Sequence, residues 1–379
     1  MSAGIRVAIA VSLALGLSAA SAGTQTASGP MKSAGDAFEL VVCPAAPDNP
    51  RNTEADILPL RDGRLLLAWS DFYTANSSDW APSRVSAMFS ADGGRSWRGK
   101  YTLQENIAKI NVMAPELLRL RSGKILFLFW SDDSPADSRV MWRISSDEAK
   151  TWSSPKPLPL NPAPAYWMNQ HDAAIQLKSG RILEPLYYTE DYRTNKIVRV
   201  RPYYSDDEAK TWLASKTLIT VDAGKITAEE PTVVELKDGS VLMLIRNGTQ
   251  RIYQTRSRDQ GETWSTPEPT DLAAAPRSPV KVGRIPSTGD LLVVWNNSPD
   301  RRSPLSTAIS QNEGKSWKHV KNLEQDPQYT YAYTSLTFVD ERVLLTYWVG
   351  RKDQVPGESA SRSSYSLKLR SLPVKWLYE

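Results

Sequence analysis

The stretch "SADGGRSW", Ser90–Trp97, recurs along the chain in imperfect copies that keep the serine, a polar residue two positions later and the closing tryptophan. The further copies are "SSDEAKTW" from Ser145, "SDDEAKTW" from Ser205, "SRDQGETW" from Ser257 and "SQNEGKSW" from Ser310. Their tryptophans follow one another at intervals of 55, 60, 52 and 53 residues. A period of this size indicates a fold built from similar units.

We call each copy of this eight-residue stretch a box. A second pattern precedes each box at a similar distance: a short strand, a turn that usually contains glycine, and a strongly apolar strand. Its clear copies are "ADILPLRDGRLLLAW" (55–69), "PELLRLRSGKILFLFW" (115–130), "DAAIQLKSGRILEPLYY" (172–188) and "PTVVELKDGSVLMLI" (231–245). Two looser copies are "SPVKVGRIPSTGDLLVVW" (278–295) and "SLTFVDERVLLTYW" (335–348). Each unit therefore reads as strand, hairpin, strand, loop, strand, box and strand.

Six four-stranded units predict an all-β fold, a single six-bladed β-propeller domain over residues 38–379 with the boxes as turns. The last unit lacks a box and runs into "SSYSLKLRSL" near the C-terminus. We expect "FELVVCP" (38–44) to supply the strand that closes the ring with this unit.

The boxes themselves are interpreted as structural turns. A turn aspartate accepts hydrogen bonds from backbone N–H groups two or three residues on, glycine permits positive φ, and tryptophan packs between strands. Two copies carry Ala149 and Ala209 in place of the glycine, and another carries Asn312 in place of the aspartate. Such tolerance favours a structural over a catalytic role.

The N-terminal residues 1–22 read as a secretory signal peptide. Arg6 precedes an apolar run from Val7 to Leu17, and a small-residue cleavage site ends at Ala22. A secreted or periplasmic location is expected. Residues 23–37 are small and polar, which predicts a flexible segment.

The composition excludes several classes of function. The 46 basic and 42 acidic residues are too balanced for a nucleic-acid binder. One cysteine, Cys43, rules out a disulfide framework. Two histidines and no CxxC or HExxH motif argue against a metal site, and we expect neither metal nor cofactor. We expect that the protein does not insert into a membrane and that it is a monomer.

Polar residues gather at the beginnings of the predicted innermost strands, which converge on one mouth of a propeller. The mouth is expected to receive Glu54, Asp56, His171, Asp172, Glu230, Arg277 and Tyr333. Asp79, Arg246 and Arg302 lie in loops or strand ends on the same face. Capping of strands and solvated surface charge are the alternative interpretations of these residues.

Several of these segments resemble the sialidases, boxed six-bladed propellers that remove terminal sialic acids; the resemblance covers about residues 40–350. "EEPTVVELKDGSVLMLIRN" is similar to the sialidase stretch with a catalytic glutamate and the second substrate-binding arginine, which implies Glu230 and Arg246. "NNSPDRRSPLSTAIS" resembles the segment of the third arginine, which implies Arg302. "YAYTSLTF" and "SSDWAPSRVSAMFSADGG" resemble the segments of the nucleophile and the acid/base, which imply Tyr333 and Asp79.

One position departs from the family. Sialidases carry the first arginine of a triad at the start of blade one, and this chain has Thr53 at the matching position. Arg51 or Arg277 is expected to compensate as a ligand of the substrate carboxylate. The further expected substrate contacts are His171, Asp172, Glu54 and Asp56.

The resemblance implies a coherent chemistry. An anionic nucleophile would be repelled by the carboxylate at the anomeric carbon of sialic acid, and a neutral tyrosine avoids this repulsion. Tyrosine has a pKa of about 10, so it needs a base, the role implied for Glu230. Asp79 would protonate the leaving oxygen and then activate water. Arg246 and Arg302 would hold the carboxylate in bidentate geometry.

Three functions stay open at this point. The first is a secreted retaining exo-α-sialidase acting on the terminal acidic sugar of a glycan. The second keeps the site but changes the sugar to a related ulosonic or uronic acid, cleaved by hydrolysis or elimination, because the first arginine is missing and His171 lacks a family role. The third is a non-catalytic binding module.

Overall fold

The computed structural model of the chain describes Met1, 37–351 and 364–379. The expected cleavage site and the segment 23–36 lie outside the described residues. The chain divides into two compact units, Met1–Gly35 and Asp36–Glu379, and the second holds every described residue except Met1. A search of the described part for a helix long and apolar enough to span a bilayer found none.

The described residues of the second unit form β-strands and two short 3-10 helices, at Asp222–Gly224 and Val374–Leu377. The strands are β1 (Phe38–Cys43), β2 (Arg51–Pro59), β3 (Leu65–Phe72), β4 (Arg84–Ser90), β5 (Arg98–Gln104), β6 (Asn111–Arg119), β7 (Ile125–Ser134), β8 (Asp137–Ser145), β9 (Lys156–Pro157), β10 (Tyr166–Met168), β11 (Ile175–Gln176), β12 (Ile182–Glu184), β13 (Tyr187–Thr189), β14 (Arg199–Val200), β15 (Tyr203–Ser205), β16 (Leu213–Ala214), β17 (Ala228–Glu235), β18 (Val241–Asn247), β19 (Arg251–Ser257), β20 (Glu268–Ala273), β21 (Val280–Arg284), β22 (Leu291–Asn296), β23 (Leu305–Ser310), β24 (Lys318–Glu324), β25 (Tyr329–Val339), β26 (Arg342–Arg351) and β27 (Ser366–Pro373).

The strands form a propeller-like arrangement of sheets, in which strands pair antiparallel except for β10 and β8. Five sheets have four strands each, in the orders β2-β3-β4-β5, β11-β12-β15-β16, β17-β18-β19-β20, β21-β22-β23-β24 and β1-β27-β26-β25. A seven-stranded sheet has the order β14-β13-β10-β8-β7-β6, with β9 beside β8. The all-β prediction is confirmed. The six equal four-stranded blades are not, since the described residues form five four-stranded sheets and one sheet of seven strands.

The first strand of the domain completes the last sheet. β1 pairs antiparallel with β27, with Leu40 opposite Leu369. The expectation that residues 38–44 supply the closing strand is therefore confirmed. This pairing ties the two ends of the domain together.

The third repeat departs from the predicted blade. Its β10 pairs in parallel with β8, with Tyr166 opposite Ser138, and the β13 and β14 strands follow at the same edge. These three strands extend the second sheet, which explains why it has seven strands. The longest interval between box tryptophans, 60 residues, spans this segment.

The boxes are hydrogen-bonded turns, as the fourth repeat illustrates. Gly261 N donates to Ser257 Oγ at 2.7 Å, and Thr263 N donates to Asp259 Oδ1 at 2.8 Å. Trp264 Nε1 donates to Gly261 O at 3.1 Å. The serine and aspartate (or asparagine) bonds recur in all five boxes. The aspartate accepts from the backbone N–H three positions on, as expected, for example Arg95 N to Asp92, and also from the residue four positions on.

Box tryptophans pack between neighbouring blades. Trp97 lies in a cluster with Leu65 of its own blade and with Leu344 and Leu369 of the last one. Trp152 contacts the Phe127 ring edge-on, at 5.5 Å between centroids. The boxes thus join adjacent sheets near the outer rim.

The innermost strands open in an unusual conformation. Each repeat has one non-glycine residue with positive φ at this point: Glu54 (39°), Ala114 (53°), Asp172 (51°), Glu230 (45°), Arg277 (60°) and Tyr333 (58°). In β2, β6, β17 and β25 the ladder register shifts here, as at a β-bulge. Positive φ in a non-glycine residue costs about 1–3 kcal/mol. Bulges redirect side chains, so each repeat turns one residue towards the centre of the ring.

The N–H groups freed beside these openings are bound by carboxylates of neighbouring blades. Asp56 Oδ2 accepts a hydrogen bond from Leu117 N at 2.7 Å. Glu116 Oε2 accepts from Ala173 N at 2.9 Å and from Ala174 N at 2.6 Å. Buried backbone donors are thereby satisfied, and successive blades are linked at the centre.

We predict that Asp259→Ala lowers the free energy of unfolding by about 1 kcal/mol, because the box loses its hydrogen-bond acceptor. Partial burial acts to raise the pKa of Asp259, but hydrogen bonds from Thr263 and Ser257 outweigh it and lower the pKa. A carboxyl whose pKa is lowered on folding stabilises the fold at pH values above its unfolded pKa of about 3.9. This stabilisation is lost as pH falls through the lower pKa of the folded state.

Urea unfolding at pH 7 and pH 3 measures this effect. The wild type and Asp259→Ala should differ at pH 7 and converge at pH 3. Asp271→Ala, an exposed residue of β20, removes the same charge and should leave stability unchanged at both values. An equal loss in the two variants would contradict a structural role for the box.

Candidate active site

A cavity opens at the mouth of the ring, where the innermost strands begin. It brings together eleven residues singled out by the sequence or facing them: Arg51, Thr53, Glu54, Asp79, Glu229, Glu230, Arg246, Arg277, Arg302, Tyr333 and Trp80. They come from the first, fourth, fifth and sixth repeats. They converge because they lie at the opening of an innermost strand, at the end of the strand paired with it, or in the loop that follows that second strand.

Three expected substrate contacts do not line this cavity: Asp56, His171 and Asp172. Asp56 and His171 are 3% and 1% exposed. Asp56 and Asp172 bind backbone N–H groups of other strands, Leu117 and Leu336 respectively. Asp56 and Asp172 therefore belong to the layer beneath the cavity, where they satisfy the bulged backbone. His171 packs in the same layer, edge-on to the Tyr333 ring.

Tyr333 and Glu230 form the centre of the site. Tyr333 OH donates to Glu230 Oε1 at 3.0 Å, and Arg246 Nη1 donates to Tyr333 OH at 3.1 Å. Arg246 also forms an ion pair with Glu230. Burial, and then the charge of Glu230, raise the pKa of Tyr333, so the phenol is neutral. Burial also raises the pKa of Glu230, and the charge of Arg246 opposes it.

A second carboxylate, Glu229, binds two arginines. Arg277 Nε and Nη2 donate to its two oxygens at 2.8 and 3.2 Å, and Arg246 Nε lies 3.7 Å from Oε1. Arg277 Nη2 also donates to Tyr192 OH at 2.8 Å. Arg302 donates to Arg277 O at 2.9 Å. Arg277 is thus held by a bidentate protein partner.

Arg51 places a guanidinium in the cavity, next to Thr53, which occupies the position of the first family arginine. Its Nε donates to Thr53 Oγ1 at 3.0 Å, and its Nη2 lies 3.0 Å from Glu54 Oε1. Its Nη1 pairs with Asp79. Burial disfavours the charge, yet Glu54 and Asp79 raise the pKa of Arg51.

Asp79 is the accessible carboxylate of the site. Its side chain is 52% exposed, whereas those of Glu54 and Glu229 are 5% exposed. Asn111 Nδ2 anchors the loop by donating to Asp79 O at 2.6 Å. An exposed carboxylate beside a buried phenol suits proton exchange with a leaving group.

The cavity is also lined by aromatic side chains, called here the aromatic wall, which the sequence analysis did not predict. Tyr166 lies at its centre, with ring centroids 5.3 Å from Trp130, 5.3 Å from Tyr192 and 5.8 Å from Trp80. Tyr166 begins β10, and Tyr192 follows β13 in the segment that leaves the third blade. The long box interval was the sequence signal for this segment.

A buried carboxyl supports the wall from behind. Tyr166 OH donates to Asp132 Oδ2 at 3.3 Å, and Asp132 is 0% exposed. Burial raises the pKa of Asp132 to about 7. Within the described residues, no group of three or more histidine, cysteine or carboxylate side chains is arranged to hold a metal.

Comparisons with known proteins agree on the fold and the family. The family model described as "BNR repeat-like domain" matches residues 108–344. The chain is similar to a sialidase of Bacteroides fragilis, 22% identical over 57% of this chain and 41% of that protein. It is also similar to a sialidase of Paraclostridium sordellii, 27% identical over 59% of this chain and 60% of that protein. The matches therefore span less than two thirds of either relative.

A solved structure shows the same fold. The Trypanosoma rangeli sialidase in complex with 2,3-difluorosialic acid, described as a covalent intermediate, matches with a TM-score of 0.70. The match has 14% sequence identity and covers 90% of this chain and 60% of that one.

We predict that Asp132→Asn stabilises the protein at high pH. Folded Asp132 keeps its proton up to pH about 7, whereas the unfolded chain releases it near pH 4. Folding therefore binds a proton between these values, and stability falls as pH rises through this window. Asparagine is neutral throughout, so the gain should be absent near pH 4 and about 4 kcal/mol at pH 8.

Urea unfolding of both proteins at pH 4 and pH 8 measures this gain. Asp137→Asn, at a more exposed carboxylate at the start of β8, provides the control for a change of surface charge. An Asp132→Asn effect that is equal at the two pH values would show that Asp132 is ionised in the fold.

Proposed function

We propose that this chain, which belongs to the BNR repeat-like domain family and the sialidase superfamily, is a retaining exo-α-sialidase that removes terminal sialic acid from glycans. The observation that carries the proposal is the Tyr333–Glu230 hydrogen bond of 3.0 Å inside a cavity that also holds Arg51, Arg246 and Asp79. The six sheets are assigned to six blades, of which the seven-stranded sheet is the second with added strands.

The arginines favour an acidic sugar. Arg51, Arg246 and Arg302 line one cavity, and each carries a planar guanidinium that matches a carboxylate bidentately. Each charge-assisted contact is worth roughly 1.5–3 kcal/mol. Arg51 supplies the guanidinium that was missing at Thr53, so the departure from the family at that position does not weaken the proposal.

Tyr333 is the proposed nucleophile. A neutral phenol approaches an anomeric carbon beside a carboxylate without the repulsion that an anionic group would meet. Glu230 accepts the phenol proton as the tyrosine oxygen bonds to the sugar, and the glycosidic bond breaks. Arg246 donates to the same oxygen and stabilises the negative charge that develops on it.

Asp79 is the proposed acid and then base. Arg51 pairs with Asp79 before substrate binds. A sugar carboxylate at Arg51 competes for this guanidinium and releases Asp79 towards the leaving oxygen. After the alcohol departs, Asp79 removes a proton from water, which attacks the anomeric carbon. The bond to the Tyr333 oxygen breaks, and Glu230 returns the proton to that oxygen. Two displacements retain the α configuration.

The aromatic wall favours an acylated sugar over a uronic acid. Met113, Ala114, Trp130 and Met168 line the cavity together with Tyr166. Apolar side chains stabilise an acyl group and leave free hydroxyls without partners. The related ulosonic and uronic acids are therefore second to sialic acid in this proposal.

The paired Tyr333 and Glu230 favour an enzyme over a binding module, since burying both costs desolvation that carboxylate recognition alone does not require. We also propose that the protein works outside the cytoplasm, where its glycan substrates lie. This location rests on the signal-like residues 1–22.

We predict that Tyr333→Phe lowers kcat at least about 10³-fold on sialyl-lactose, because the nucleophilic oxygen is lost. Glu230→Gln should be similarly impaired, since an amide does not accept the phenol proton. Tyr347→Phe is the matched control: Tyr347 OH also donates to a glutamate, Glu324, but lies outside the cavity. It should keep kcat within twofold.

Proton NMR of the released sugar measures the rate and the first anomer formed, which should be α. Full activity of Tyr333→Phe on sialyl-lactose and on uronate-capped oligosaccharides would exclude Tyr333 as the nucleophile. A β product would exclude the retaining mechanism.

We predict that the loss caused by Asp79→Ala depends on the leaving group. With sialyl-lactose the departing alcohol needs a proton, and kcat should fall about 10²–10⁴-fold. With an aryl sialoside whose phenol is acidic, the first step needs no acid and the loss should be much smaller.

Asp133→Ala is the control, because Asp133 pairs with Arg139 and does not line the cavity. Equal losses on the two substrates in Asp79→Ala would assign Asp79 to binding and not to acid catalysis. Steady-state kinetics with both substrates provides the comparison.

A further inference from the structure

The nucleophile proposed above sits in a conformation that its own strand does not favour. Tyr333 has φ of 58°, and β25 shifts register between Ala332 and Ser335. A bulky residue in the left-handed region is a true outlier, and it persists where the surroundings hold it. Something beneath the cavity must therefore fix this part of β25.

Asp172 makes that contact. Its Oδ2 accepts a hydrogen bond from Leu336 N at 2.7 Å, directly after the register shift that contains Tyr333. Asp172 belongs to the third repeat and Leu336 to the sixth, so this bond crosses the centre of the ring. It satisfies a backbone donor beside the bulge.

Lys281 holds the same oxygen. Its Nζ lies 3.0 Å from Asp172 Oδ2, and the residue is 9% exposed on β21. Three repeats are therefore joined at one carboxylate below the cavity. His171 adds a packing contact, with its ring edge-on to Tyr333 at 5.8 Å between centroids.

We propose that Asp172, oriented by Lys281, is a positioning residue for Tyr333: its hydrogen bond to Leu336 N holds the bulge that directs the phenol towards Glu230. This role rests on the proposed function, because it assigns Tyr333 as the nucleophile. Asp172 does not line the cavity, so it acts through β25 and not on the sugar.

The chain offers a matched control for this role. Asp56 Oδ2 accepts a hydrogen bond of the same length, 2.7 Å, from Leu117 N beside the bulge of β6. Both carboxylates lie in the central layer, and both bind a backbone N–H of another blade. The β6 opening carries Ala114, which has no reacting group. Asp56 therefore stabilises a bulge as Asp172 does, but it positions no catalytic side chain.

The test compares Asp172→Ala with Asp56→Ala in the full chain. Both should lower the melting temperature. Asp172→Ala should lower kcat at least tenfold with KM within twofold, and Asp56→Ala should keep kcat within twofold. Asp172→Asn retains an oxygen acceptor for Leu336 N and should recover kcat to within about threefold of wild type. This variant also tests the proposal if the alanine variant fails to fold.

The rate of inactivation by 2,3-difluorosialic acid isolates the attack of the tyrosine. Asp172→Ala should slow this rate at least tenfold, and Asp56→Ala should not. Equal losses of activity in the two alanine variants, in proportion to their losses of stability, would overturn the proposal. Asp172→Asn as impaired as Asp172→Ala would overturn the role of the acceptor and would assign the loss to the Lys281 ion pair, which both variants remove.

A spectroscopic arm needs no activity. In protein labelled with ¹³C at the tyrosine ζ carbon, Tyr333 is the resonance missing from Tyr333→Phe. Asp172→Ala should shift this resonance, and Asp56→Ala should leave it in place. An unmoved resonance would overturn the inference even in an active enzyme. Failure of the wild type on every sialoside would reject the proposed function, while this arm still decides on Asp172.

Discussion

The site depends on a backbone constraint repeated around the ring: each innermost strand opens with a non-glycine residue in the left-handed region. The conformation breaks the strand ladder, turns one side chain towards the centre and frees nearby N–H groups. Carboxylates of other repeats bind these groups, for example Asp56 on Leu117 and Asp172 on Leu336. Strain at one blade is thus offset by a carboxylate of another blade, and the openings form one linked layer.

The same constraint explains how charges are kept in a mostly buried cavity. An unpaired buried charge is strongly destabilising, so each guanidinium requires a partner before substrate arrives. Arg51 has Glu54 and Asp79, and Arg246 has Glu229 and Glu230. Since these partners come from strand openings or a loop beside them, the arginines are preorganised. An incoming carboxylate then exchanges one partner for another, which limits the cost of desolvation.

The sequence predicted much of this molecule because its boxes serve as a ruler for the repeats. They placed Asp79, Glu230 and Tyr333 at one mouth, and the structure brings these residues to one cavity. Arg51 was one of two candidates for the missing arginine, because the family pattern pointed to Thr53, two residues further along. The aromatic wall was missed because Tyr166 pairs with another blade, and period alone does not reveal a strand that changes sheets.

Asp172 shows a further limit of prediction from residue type. A carboxylate at a strand opening fits a substrate contact, a strand cap and a partner for a buried donor equally well. The outcome depends on which atom of another repeat lies opposite, and that atom, Leu336 N, is 164 residues away in sequence.

Regularity in the repeats follows from where each part lies. Box turns satisfy their own backbone locally and near solvent, so one solution works five times and tolerates Ala149 or Asn312. Openings at the centre must satisfy a distant backbone group and also present chemistry to a shared cavity. The residue that serves one blade there cannot serve the next. Repetition therefore marks the scaffold of this fold, and the positions where repetition fails mark its site.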